Sequence, residues 1–124
     1  MKLKLASILA VASLGLSGCA ALSTLEGTTV SPTQVIVAGN SFDAVEATAT
    51  NYLLLPLCPG ATLCRTQAAT SAIIPAVRAA RTARNQLEAY VNANPGSPAP
   101  VSLYNAAITA LNALESALAQ YNVK

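Results

Sequence analysis

The chain has no histidine and no tryptophan, one Phe, three Cys and only 10% charged residues. Without histidine it lacks the commonest general base and the commonest neutral metal ligand, and three cysteines alone do not complete a four-ligand zinc site. Its acids, Glu26, Asp43, Glu46, Glu88 and Glu115, are scattered and do not form the paired carboxylates used in hydrolysis. There is no glycine-rich phosphate loop, zinc signature or dinucleotide fingerprint. Catalysis is therefore the least expected class, and no cofactor or metal is expected.

A basic excess is missing as well. The formal charge is +2, but Lys2 and Lys4 fall in a segment expected to be removed. What remains is Arg65, Arg78, Arg81, Arg84 and Lys124 against the five acids, a net side-chain charge of zero. Sequence-independent nucleic-acid binding draws its affinity from neutralising phosphates, so nucleic acid is set aside. No apolar run reaches the roughly 20 residues that span a bilayer as a helix.

The composition is 53% hydrophobic, and alanine, the best helix former, supplies much of it. At 124 residues the chain holds one domain at most, since domains commonly take roughly 100–150.

Met1, Lys2, Leu3 and Lys4 supply a short basic opening, followed by an apolar core over residues 5–16, broken only by Ser7, Ser13 and Gly15. This is the layout of a secretory signal peptide. Leu16-Ser17-Gly18-Cys19 resembles the lipobox of bacterial lipoproteins at all four positions. The resemblance implies thioether attachment of a diacylglyceryl group to Cys19, cleavage before it, and acylation, such as palmitoylation, of the new amino terminus. Such chemistry requires a thiolate nucleophile. Two or more acyl chains hold stably in a membrane where one holds marginally. The other reading of the segment is ordinary signal cleavage at Gly18 or Ala21, with Cys19 lost or left as a free thiol. Ala20, where inner-membrane lipoproteins carry Asp, resembles proteins forwarded to the outer membrane; in an organism with one membrane that inference lapses. The expected address is thus the bacterial envelope, and the outer membrane facing the periplasm in a Gram-negative cell.

Residues 20–29 are small and hydroxylated with no sustained apolar period, and residues 19–30 are expected to form a lipidated flexible tether. Ser31-Pro32 is a helix start. Apolar residues then recur at intervals of three and four in three runs: Val35, Ala38, Phe42, Val45, Ala49 and Tyr52; Ala69, Ile73, Ala76, Ala80, Ala83, Leu87 and Tyr90; Tyr104, Ala107, Leu111, Leu114, Leu118 and Tyr121. Breakers separate them at residues 56–60 and 94–100. The expected fold is all-α, a small antiparallel three-helix bundle over residues 31–124, with helices at about 32–55, 68–93 and 99–121. Pro75 either kinks the second helix or marks its true start. Alanine-rich seams bring helices close but bury little area, so the core is thin.

Cys58 and Cys64 flank five residues in the first interhelical gap. In an oxidising envelope they are expected to form a structural disulfide. A redox-active pair, which usually has two intervening residues, or a metal site, which needs more ligands, fits less well.

Two surfaces are candidate partner sites. Arg78, Arg81 and Arg84, spaced by three, form a basic stripe suited to an acidic partner or a phosphate-bearing lipid. The alternative is a solvated face, with Arg84 paired to Glu88 and Arg78 or Arg81 facing Asp43 or Glu46. The disulfide turn carries Leu53, Leu54, Leu55, Leu57 and Leu63, either as a docking patch or as a plug over the helix ends. Leu55, Leu57 and Leu63 are the residues singled out for partner binding there. The leading expectation is a structural or protein-interaction module with a membrane contact through its lipid and an envelope protein partner, its oligomeric state left open. A small apolar-ligand or lipid-binding module is the second class, and an exclusion lipoprotein of phage or plasmid type the third.

Overall fold

A computed structural model describes residues 27 and 29–123. The order of elements is β1 (Thr29–Val30), α1 (Pro32–Leu53), α2 (Gln67–Ala93), β2 (Ala99–Pro100) and α3 (Val101–Gln120). The fold is mostly helical, three helices with one two-stranded sheet. The signal segment and Cys19 lie outside the described residues.

α1 starts where the local chemistry directs. Ser31 caps it: its hydroxyl accepts from the Gln34 backbone N–H at 3.4 Å, while the Gln34 side-chain oxygen accepts from the Ser31 N–H at 3.1 Å. Two otherwise orphaned donors are satisfied reciprocally. Pro32 takes the first helical position, where its missing N–H costs nothing. α1 ends at Leu53, two residues short of its expected end: the Leu54 N–H still reaches the Thr50 carbonyl four residues back, but the Leu55 N–H takes the Tyr52 carbonyl three back, tightening the chain out of the α pattern.

α2 begins at Gln67, capped by Thr66, whose hydroxyl accepts from the Ala69 N–H at 3.1 Å. It runs unbroken through Pro75 to Ala93, so Pro75 does not mark its start. Pro75 and Ser71, the residue whose carbonyl loses its helical donor, are both exposed, and water can serve the carbonyl there. α3 ends with left-handed Asn122 (φ 54°): the Val123 N–H reaches the Leu118 carbonyl and the Asn122 N–H the Ala119 carbonyl. This Schellman arrangement lays Val123 back against the core.

The sequence places the start of the third helix at residue 99 and the end of the tether at residue 30, and both limits shift for one reason. Thr29–Val30 pairs antiparallel with Ala99–Pro100, Val30 opposite Ala99. Val30 is 2% exposed and Ala99 fully buried, so the last residue of the expected tether belongs to the core. Two-residue strands carry no period to read.

The three seams meet in one core. Val35, Ala38, Phe42 and Ala49 of α1, Ala69, Ile73, Ala80 and Leu87 of α2, and Tyr104, Ala107, Leu111, Leu114 and Leu118 of α3 are buried. Among the largest fully buried side chains are Phe42, Ile73, Leu114 and Val30, a modest set for a core.

Candidate interaction surface

β1 pairing with β2 places the start of α1 beside the start of α3. The opposite end of α1, about 33 Å away by helical rise, meets the start of α2 through the disulfide turn. Val123, just past α3, lines a groove with Tyr52 and Leu55, so the end of α3 lies there too.

That turn is braced. Cys58 and Cys64 form a disulfide, their Cα atoms 5.1 Å apart, and the Cys58–Pro59 peptide is cis. Arg65 holds both sides: its backbone N–H donates to the Pro56 carbonyl at 2.9 Å, and its carbonyl accepts from the Cys58 N–H at 3.1 Å. Its guanidinium donates to the Leu55 carbonyl at 2.8 Å and to the Thr70 hydroxyl at 3.0 Å. The Thr66 N–H donates to the Tyr52 hydroxyl at 3.0 Å. The sequence by itself assigns Arg65 no role, since a lone arginine in a loop shows nothing of its backbone partners.

The leucines divide between the two readings offered for them. Leu53 packs against the core and Leu55 is half-buried, as a plug would be. Leu54, Leu57 and Leu63 are 77%, 46% and 74% exposed. The turn thus closes the helix ends and presents an apolar rim.

The three arginines also part company. Arg84 pairs with Asp43 at 2.7 Å, Glu88 at 2.6 Å and Glu46 at 3.5 Å. Its hydrogen bond to Glu88 chiefly, with help from Asp43, holds its guanidinium above the usual arginine range against the opposing effect of burial. Arg81 pairs with Glu46. Arg78 is exposed and has no ion pair among the described residues. The stripe is therefore largely a clamp between α2 and α1.

No protein-family model, curated protein or solved structure matches this chain. Function must be read from its own surface.

Three open grooves border α1. One of about 280 Å³ lies against α2, lined by Leu53, Leu54, Ile74 and Val77 with Arg78 and Arg81 at its edge. One of about 300 Å³ lies against α3, lined by Val45, Leu118 and Val123 with Glu115 at its edge. The third, about 260 Å³, is the groove under Tyr52 and Leu55. Among the described residues no group of three His, Cys, Asp or Glu could hold a metal, and no helix is long and apolar enough to cross a membrane.

Proposed function

We propose that this chain is a lipid-anchored envelope protein, tethered through Cys19 and working as a structural or protein-interaction module. In this reading residues 31–124 form an antiparallel three-helix bundle. Its β1 end faces the membrane and its disulfide turn projects away from it.

The observation that carries the proposal is the exposed rim of Leu57 and Leu63 on a turn fixed by the Cys58–Cys64 bond and by Arg65. Apolar side chains exposed on a rigid platform lose little entropy on docking. The rim also lies at the end of α1 remote from Thr29, from which the chain runs back to Cys19. The grooves are open and at or below the lower limit of about 300–1,000 Å³ typical of ligand sites, which favours surface contact over an enclosed apolar ligand.

Intact mass of the membrane-extracted protein tests the anchor, and a diacylglyceryl and acyl increment on a chain starting at Cys19 is expected. A soluble product of unmodified mass would contradict it. Leu57→Asp and Leu63→Asp test the rim. Both variants are expected to fold and to lose an envelope partner; normal folding with every interaction intact would remove the rim from the proposal.

A further inference from the structure

α1 carries two seams. Val35, Ala38, Phe42, Val45, Ala49 and Tyr52 turn inward. Val37, Asn40, Ala44, Ala47, Asn51 and Leu54, each two residues further on, repeat the same alternation of three and four, and every one is exposed. Two helical residues subtend about 200°, so the second seam lies on the opposite side of the helix. Val37 is 61% exposed, Leu54 77%, and Ile36 beside them 65%; with Leu57 and Leu63 they complete the exposed large hydrophobics among the described residues. The outward seam holds no charged residue, and it extends for about 26 Å.

We infer that this face of α1 is the contact between two copies of the chain, packed with their α1 helices parallel. Val37, Ala44 and Asn51 recur every seven residues, as do Asn40, Ala47 and Leu54, which is the alternation of a two-stranded coiled coil. Asn51 is the kind of seam polar residue that fixes register, because in a parallel pair it meets its own copy.

Charge decides the orientation. Among the described residues Arg78 and Glu115 have neither an ion pair nor a side-chain hydrogen bond. Arg78 edges the groove between α1 and α2, Glu115 the groove between α1 and α3. The two unpaired charges therefore flank α1 on opposite sides. A two-fold axis parallel to α1 sets the α2 side of one copy against the α3 side of the other, so Arg78 faces Glu115 twice. An antiparallel pairing sets like against like and has no such complement. The parallel orientation also suits two copies tethered to one bilayer, although the inference rests on the seam and the charges and not on the anchor.

The test is cysteine crosslinking of the full chain in cells. Val37→Cys and Asn51→Cys are each expected to give an oxidant-dependent covalent dimer, with Asn112→Cys, on the exposed side of α3, staying monomeric. Adding Arg78→Glu to Asn51→Cys should lower the dimer yield by about tenfold, and adding Glu115→Arg as well should restore it. Two results would overturn the inference. One is an Asn51→Cys chain whose new thiol reacts with maleimide yet stays monomeric at every oxidant level. The other is dimer formation only when Val37→Cys and Leu54→Cys chains are expressed together, which is the antiparallel register.

Discussion

The Tyr52 hydroxyl accepts a hydrogen bond from the Thr66 backbone N–H at 3.0 Å, joining the last turn of α1 to the residue that caps α2. Together with Arg65 it makes the disulfide turn part of the folded body. Arg65→Ala removes two hydrogen bonds from a charged donor and should cost about 2 kcal/mol. Tyr52→Phe should cost about 1 kcal/mol. Urea midpoints of the two variants check both values, and an Arg65→Ala midpoint equal to wild type would show the turn to be held otherwise.

Reduction of Cys58–Cys64, or Cys58→Ser with Cys64→Ser, should lower unfolding stability by roughly 2 kcal/mol, the loop-entropy value for so short a loop. The thin core makes that a large share of the total. Urea titration with and without reductant reads the difference directly.

The helices and most of their core faces were legible because the seams recur over several turns each; Val45, Tyr52, Ala76, Ala83 and Tyr90 of those seams are only partly buried, and Val77 enters the core from off the seam. The start of α1 was legible in Ser31-Pro32. The β1–β2 pair was not, because Val30 and Ala99 are joined by contact across the chain and not by a local pattern. The fate of Pro75 was not legible either. Its rule permits a kink or a start, and only the exposure of Ser71 and Pro75 shows why the helix continues. At the surface, the spacing of Arg78, Arg81 and Arg84 suggests one stripe, whereas the positions of Asp43, Glu46 and Glu88 divide it into two paired arginines and one with no ion pair among the described residues.

Arg84 and Arg78 should therefore behave differently. Arg84→Ala leaves Asp43 and Glu88 without their cation and Glu46 with Arg81 alone, and should cost about 1 kcal/mol, less at high salt. Arg78→Ala should change monomer stability by no more than about 0.5 kcal/mol. Thermal melts at low and high ionic strength separate the two.

Tyr104 is buried, and burial pushes its phenol above the ordinary value of 10.0. The folded chain then holds this proton more tightly than the unfolded one, so its contribution is full below about pH 10 and is lost as pH rises through the raised folded value. The urea midpoint should fall as pH rises above about 10, and that of Tyr104→Phe should fall less. An equal fall in both would place the alkaline sensitivity elsewhere.

In-cell photocrosslinking with a photoreactive residue at position 63 tests most directly whether the disulfide turn is a docking surface. A discrete adduct with an envelope protein, absent when the photoreactive residue is moved to position 112 and lost on Leu57→Asp, is the expected result. A well-expressed, acylated protein that gives no adduct from position 63 would contradict the interaction role of the turn.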